Sequence, residues 1–149
     1  MKLIELYSLA TGLRIGKQHL LETFCALPFT RYITLHASSG MSSKNFPYFL
    51  EVVLLIKPYL TAAGIEIIQL GEEKDPAIPG CHSMLGKTSI HQANYLIGRA
   101  ILHLGNDSMF GHRAGYLEIP LVQPWGSTAP QNHASHEADP AKTIHLVSH

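Results

Sequence analysis

The stretch that decides the fold is "AILHLGNDS", residues 100–108. Its first five residues are mostly apolar and are typical of a buried strand. After Gly105 they are followed by Asn106, Asp107 and Ser108, three polar side chains that are awkward in a core. A second stretch has the same form, because "RYITLHA" (31–37) is rich in β-branched and aromatic residues and leads into the polar loop "SSGMSS". Two strands that each end in a polar loop indicate a sheet with a binding site at its carboxyl ends.

The segments between and around these strands alternate in pattern. Apolar residues recur at helical spacing from Phe46 to Leu60, Gly64 suits the helix C-terminus, and Pro58 predicts a kink or an early end. Ser89 is a suitable N-cap for a second helix. The remaining predictions are strands over 65–70, 119–124 and, weakly, 81–85, and helices over 89–100 and 108–116.

This alternation predicts an α/β fold with a Rossmann-like parallel sheet and helices on both faces. A strand order of 3-2-1-4-5 would make 31–36 and 100–104 neighbours. Residues 1–30 fit the pattern poorly and are predicted to form an N-terminal arm or an extra helix at "KQHLLETFCAL", with the domain over 31–149. The chain ends on the strand-like "TIHLVSH" with no helix after it, which suggests a domain truncated at its C-terminus.

Composition excludes several classes of protein. Formal charge is balanced at zero over 149 residues with no basic run, so nothing points to nucleic acid. The longest apolar run, "VVLLI", is far short of the ~20 residues that span a bilayer. Two cysteines, Cys25 and Cys81, are too few for a disulfide framework, which favours a reducing, cytoplasmic setting.

The ten histidines do not form a recognisable metal motif. Four of them, His133, His136, His145 and His149, crowd the tail, yet no HExxH motif and no Cys/His pair at zinc spacing occurs. We therefore expect surface or packing histidines and no metal, with a metal site as the minor alternative.

The polar residues after the two central strands suit a phosphorylated ligand. Asn106, Asp107 and Ser108 would begin a helix whose free N–H groups attract phosphate. Ser38 and Ser39 add hydroxyl donors, and Lys44 adds a cation. Because Asp107 would repel phosphate, its expected task is to accept hydrogen bonds from sugar hydroxyls. The alternative is that "NDS" only caps a helix, since capping uses the same residue types.

Four motifs in one order resemble a known family. "HASSGMSSKNFPYFLEVV", "LGKTSIHQANYLIGRAILHLGNDS", "DSMFGHRA" and "PLVQPWGSTAP" are similar to successive motifs in the C-terminal, donor-binding domain of the heptosyltransferase-like glycosyltransferases (glycosyltransferase family 9, GT-B fold). The resemblance covers about residues 31 to 130.

This resemblance implies the donor-binding half of an inverting glycosyltransferase. Such an enzyme moves a sugar from a nucleotide-diphosphate donor to a glycan or lipopolysaccharide-type acceptor, without a cofactor or metal ion. By position, Lys44, Asp107 and His112 would be the catalytic residues, with Lys44 holding the departing diphosphate. The resemblance assigns donor binding to Ser38, Ser39, Lys44, Glu73, Thr88, Asp107 and Ser108, with Thr88 near the base and Glu73 near the ribose.

Two departures from the family leave alternatives open. Met109 stands where the family has a glycine. The family's N-terminal domain, which carries the acceptor site, has no counterpart in the first thirty residues. We therefore expect a missing domain or a partner chain. A binding module without catalysis and an epimerase-like nucleotide-sugar enzyme are the alternative functions.

Overall fold

The structure of the protein is a computed structural model, which describes residues 2–16, 19–135 and 138–147. These residues form an α/β structure, which confirms the predicted class. The helices are α1 (Leu3–Thr11), α2 (Phe49–Ala62), α3 (Ile90–Ile97), α4 (Met109–Tyr116) and the single turn α5 (Pro130–His133). The strands are β1 (Tyr32–His36), β2 (Glu66–Gln69), β3 (His82–Ser83), β4 (His103–Gly105), β5 (Leu121–Trp125) and β6 (Thr143–Val147).

The strands of the described residues form one six-stranded sheet in the order β3-β2-β1-β4-β5-β6. Every neighbouring pair is parallel. In the central pair, Thr34 lies opposite His103 and His36 lies opposite Gly105. The predicted adjacency of the two central strands is therefore confirmed, and their polar loops emerge at the same edge of the sheet.

Both faces of the sheet are covered by helices, as predicted. On one face Ile33, Leu35 and Ile67 pack against Phe49 and Val53 of α2. The opposite face packs against α3 and α4 through a second buried cluster that contains Tyr32, Ile68, Leu96, Ile97, Ala114 and Leu121. Because β1 is buried on both sides, all five of its residues are buried, which explains why the strand shows no alternation of apolar and polar residues.

Helix α2 continues through Pro58 and ends at Ala62, so the predicted early end is wrong. Pro58 cannot donate a hydrogen bond to the carbonyl of Leu54, one turn earlier. Both side chains lie on the exposed side of the helix, where water can satisfy that carbonyl. The apolar opposite side keeps the helix on the sheet, and Gly64 follows it with a φ of 66°, as expected beyond a helix end.

The N-terminal helix lies earlier than predicted. It spans Leu3–Thr11, whereas residues 19–30 contain neither helix nor strand, so the helix at "KQHLLETFCAL" is wrong for its described part. Lys17 and Gln18 lie outside the described residues. Residues 19–30 form hydrogen bonds to α3 instead. Asn94 Nδ2 donates to the Leu21 carbonyl at 2.8 Å, and the Thr23 amide donates to the His91 carbonyl at 3.1 Å. The division between an arm and a domain at residue 30 stays a prediction.

No helix among the described residues combines the length and apolar character needed to cross a membrane.

Candidate functional site

A cavity of about 480 Å³ lies at the carboxyl ends of the central strands. Loops after β1, β2 and β4 and the first turns of α3 and α4 form its walls. Its lining residues are His36, Ser38, Ser39, Gly40, Met41, Lys44, Gly71, Glu72, Lys74, Asp75, Thr88, Ser89, Ile90, Ala93, Asp107, Ser108, Met109 and Phe110. The cavity therefore lies at the switch point between β1 and β4, where α/β sheets bind ligands.

Asp107 is the most deeply buried charged group of the cavity, with 3% of its side chain exposed. Its Oδ2 accepts hydrogen bonds from Lys44 Nζ and from Thr128 Oγ1, both at 2.7 Å. Its Oδ1 lies 3.8 Å from His112 Nε2, which is too long for a hydrogen bond. One carboxylate oxygen is thus committed to a cation and a hydroxyl, and the other can still accept hydrogen bonds.

The alternative in which "NDS" only caps a helix is wrong. Ser108, the N-cap residue of α4, makes no side-chain capping hydrogen bond. Asp107 bonds to Lys44, and Ser108 Oγ lies 2.9 Å from His36 Nδ1. Within the described part of the chain, the first amides of α4 therefore have no side-chain partner, and Asp107 and Ser108, which could have capped them, make other contacts.

Asn106 joins the loops around the cavity. This residue is fully buried. Its Nδ2 donates to the Ala37 carbonyl at 2.7 Å, and its Oδ1 accepts the Phe46 amide at 2.9 Å. Its backbone carbonyl accepts a hydrogen bond from Gln123 Nε2 at 3.3 Å. The loop that follows β1 is thereby tied to the end of β4 and to β5.

Two histidines lie in the sheet beneath the cavity. His103 is fully buried and bonded through Nδ1 to Thr34 Oγ1 at 2.9 Å, and its Nε2 finds no hydrogen-bond partner among the residues that the structure describes. Burial lowers the pKa of His103 to about 3. Burial also lowers the pKa of His36 to about 4, although Asp75 and Glu72 oppose that shift. Both imidazoles are therefore neutral at pH 7.

His112 lies near Asp107 but does not line the main cavity. Its side chain is about half exposed, at 48%, and burial lowers its pKa, an effect that the Asp107 carboxylate opposes. It lines a separate pocket with His19, Leu20, Met109 and Arg113. Met109, which stands where the family has glycine, contributes to both pockets and is 43% exposed.

The structure brings most of the sequence-predicted residues to one place. Lys44, Asp107 and Ser108 line the cavity together with the residues Ser38, Ser39 and Thr88. Glu73 does not line it; its backbone and Cβ lie against Gly86, where a Cβ would meet them. Glu72 and Asp75 occupy the corresponding part of the wall.

Sequence reasoning assigned no role to Thr128 or His36. Thr128 belongs to the quoted "GSTAP" stretch, so its motif gave a signal, although its partner Asp107 could be found only in three dimensions. His36 is the first residue of the quoted "HASSGMSSKNFPYFLEVV" motif, but as the last residue of a strand it was not distinguished from a packing residue.

Among the described residues, no group of three or more His, Cys, Asp or Glu side chains is placed to hold a metal ion. His136 and His149 lie outside those residues.

A family model described as glycosyltransferase family 9 (heptosyltransferase) matches residues 16–145. Among solved structures, the E. coli ADP-heptose lps heptosyltransferase II has a TM-score of 0.63 at 22% identity, over 83% of this chain and 40% of that one. The E. coli heptosyltransferase WaaC with ADP gives 0.62 at 15% identity, over 81% of this chain and 38% of that one. The family 9 glycosyl transferase from Veillonella parvula DSM 2008 gives 0.67 at 16% identity, over 97% and 39%. No curated protein matches.

The three solved structures share the fold of this chain. The chain spans about two-fifths of the length of each of these solved structures. The family model, in contrast, covers most of this chain. The chain belongs to glycosyltransferase family 9, the heptosyltransferase family.

Proposed function

We propose that this chain binds the nucleotide-diphosphate sugar donor of a glycosyltransferase that delivers the sugar to a glycan or lipopolysaccharide-type acceptor. The observation that carries the proposal is the Lys44–Asp107 ion pair, 2.7 Å long, on the wall of the cavity at the β1–β4 switch point. A cation for phosphate and a carboxylate for sugar hydroxyls lie side by side there.

Lys44 is the proposed ligand of the donor's diphosphate. It is 20% exposed, so its ammonium group reaches the cavity while its partner Asp107 stays buried. Ser38 and the first amides of α4 add hydrogen-bond donors around the same space, whereas the Ser39 hydroxyl donates to the Met41 carbonyl at 2.8 Å and lines the cavity in that state. When the sugar–phosphate bond breaks, charge develops on the diphosphate, and fixed donors of this kind stabilise it.

Asp107 is the proposed ligand of the donor sugar. Its Oδ2 accepts hydrogen bonds from Lys44 and Thr128, whereas its Oδ1 keeps the capacity to accept a hydrogen bond from a sugar hydroxyl. A buried carboxylate that is already paired on one side has a fixed orientation, which favours recognition of one sugar geometry.

His112 is the proposed base for transfer. Its lowered pKa leaves the imidazole neutral at pH 7, so it can take the proton of an acceptor hydroxyl as that oxygen attacks the sugar. The new bond forms at the anomeric carbon as the bond to the diphosphate breaks, which inverts the configuration and needs no metal ion in this proposal. Because the chain covers only part of its relatives' length, transfer by the whole protein belongs to the proposal as well.

The test of donor binding is calorimetric titration with nucleoside diphosphates and their sugars. Lys44→Ala should weaken binding by ~1.5–3 kcal/mol, the scale of a hydrogen bond to a charged group. Lys57→Ala is the matched control, because Lys57 also forms a 2.9 Å ion pair, with Glu66, outside the cavity. Equal affinity in the two variants would remove Lys44 from the site.

Asp107→Asn tests the sugar contact. The variant removes a negative charge near the phosphates but keeps the side chain's size. Affinity for the plain nucleoside diphosphate should hold or increase, and affinity for the nucleotide sugar should decrease. If both ligands change alike, Asp107 does not contact the sugar. A separate assay measures release of nucleoside diphosphate from the donor. Release by the wild type that is lost in His112→Ala would indicate an enzyme, and no release would indicate a module that only binds the donor.

A further inference from the structure

His36 and Ser108 form a side-chain contact on the wall of the candidate cavity, although they are 72 residues apart in sequence. His36 is the last residue of β1, and Ser108 stands immediately before α4. His36 Nδ1 and Ser108 Oγ are 2.9 Å apart. The contact therefore links the two elements between which a ligand would lie.

The His36 ring is held in place from several sides. The residue is 9% exposed, and its ring meets the Phe110 ring edge-on, with centroids 4.6 Å apart. The neighbouring strand approaches closely at Gly105, where a Cβ would lie 2.9 Å from the His36 carbonyl oxygen and 3.3 Å from its Cβ. The backbone and Cβ of His36 are thus held against β4, while its ring packs against Phe110 and places Nδ1 at hydrogen-bond distance from Ser108.

The direction of this hydrogen bond decides what Ser108 can offer to a ligand. A hydroxyl has one proton, and a neutral imidazole has one nitrogen that donates and one that accepts. If Ser108 gives its proton to His36, its oxygen has none left for an anion. If Nδ1–H donates to Ser108, the hydroxyl proton is free to point into the cavity. Phosphate oxygens only accept, so only the second arrangement lets Ser108 bind them.

We propose that His36 is a positioning residue that donates Nδ1–H to Ser108 Oγ and thereby directs the Ser108 hydroxyl proton to an anionic oxygen of the bound diphosphate. This inference rests on the proposed function, since it assigns a positioning role to a residue of the same site. Two hydrogen bonds in series strengthen one another, so the imidazole contributes to ligand binding without touching the ligand. The lowered pKa of His36 is consistent with a single proton on the ring.

A similar pair in the same sheet provides an internal control. Thr34 Oγ1 and His103 Nδ1 are also 2.9 Å apart and join β1 to β4, but both residues are fully buried and neither lines the cavity. Loss of a histidine–hydroxyl bond that only supports the sheet, such as this second pair, should lower stability without changing ligand affinity.

The experiment is a double-mutant cycle with inorganic diphosphate as the calorimetric probe, with thermal unfolding measured for each protein. Ser108→Ala and His36→Leu should each weaken binding about tenfold, the lower range for a hydrogen bond to a charged group. The double variant should bind as Ser108→Ala alone, since His36 acts through Ser108. His36→Asn, whose amide can occupy the place of Nδ1–H, should stay within about threefold of wild type. Thr34→Val should lower the unfolding temperature and leave the affinity unchanged.

Separate outcomes would overturn the two proposals. The positioning role alone would be overturned if the wild type binds diphosphate and His36→Leu binds it with unchanged affinity. It would also be overturned if the losses of affinity in the two single variants add in the double variant. A wild type that binds neither diphosphate nor a nucleoside diphosphate would overturn the proposed function and this role with it. A nitrogen NMR spectrum of the diphosphate complex gives an independent readout, because it should show the proton on Nδ1 of His36. A proton on Nε2 alone would contradict the proposal even if His36→Leu fails to fold.

Discussion

Neutral histidines in the sheet make stability depend on pH. His103 and His36 have pKa values of about 3 and about 4 in the folded protein, both lowered mainly by burial. An exposed histidine in the unfolded chain has a pKa of about 6.5. Unfolding therefore takes up protons below that pH. The stability that the two neutral rings contribute is complete above pH 6.5 and is lost as the pH falls towards 4 and 3.

We expect the free energy of unfolding to decrease steadily from pH 6.5 to pH 5, by about 1.4 kcal/mol per pH unit for each of the two histidines near pH 5. His103→Asn keeps an amide donor for Thr34 but cannot titrate, so it should reduce this slope by one histidine's share. Urea unfolding at several pH values measures the slope. His91→Asn, at an exposed position, is the control and should leave it unchanged. A slope that is the same in His103→Asn and in wild type would contradict the assignment.

The sequence predicted a helix cap correctly where the capping contact is local, and wrongly where the capping side chain bonds to a residue far away in sequence. Ser89 caps α3 as predicted, since its hydroxyl accepts the Gln92 amide at 3.2 Å and Gln92 Oε1 accepts the Ser89 amide at 2.9 Å. Ser108 occupies the same position before α4 but does not cap it, because its hydroxyl is hydrogen-bonded to His36 Nδ1 instead. A side chain three residues away can be foreseen from sequence, and one 72 residues away cannot.

Helix α2 should gain stability when its proline is replaced. Pro58 lies inside the helix on an exposed side, where it lacks a backbone donor. Pro58→Ala should restore that hydrogen bond and raise the free energy of unfolding by about 2 kcal/mol, after the greater freedom of the unfolded chain is subtracted. Chemical denaturation measures the change. Pro47→Ala, just before the helix, should give no such gain, and an equal or lower stability for Pro58→Ala would show that the proline costs the helix nothing.

At the scale of the whole molecule, the loops after β1 and β5 are fastened to each other beside the cavity. The Ser127 amide donates to the Ser43 carbonyl at 3.1 Å, and the two serine hydroxyls are 2.9 Å apart. A Cβ on Gly126 would overlap the Ser43 carbonyl oxygen and lie 3.2 Å from Lys44 Cα. The absence of a side chain at Gly126 is therefore what lets the β5 loop support the segment that carries Lys44.

Gly126→Ala should force these two loops apart. We expect a loss of about 1–3 kcal/mol in the free energy of unfolding, the usual cost of overpacking against backbone. Weaker diphosphate binding should accompany it, because Lys44 moves with its loop. Gly40→Ala is the stability control, since a Cβ there meets nothing within 4 Å. If Gly126→Ala unfolds at the same denaturant concentration as Gly40→Ala, the close approach does not constrain the loops.

The sequence by itself determined the class of fold and the order of the central strands. Apolar runs such as "YITLH" and "AILHL", and the spacing of apolar residues in α2, are local properties, and local hydrophobic pattern is enough to separate a buried parallel strand from a helix. The sequence also identified Lys44 and Asp107 as polar residues at the same edge of the sheet. Tertiary structure alone decided the partners: Thr128 on Asp107, His36 on Ser108, and Asn94 on the segment predicted to be helical. Each of these contacts joins residues at least 21 positions apart, and a hydrogen bond depends on distance and direction in space, which no local pattern specifies.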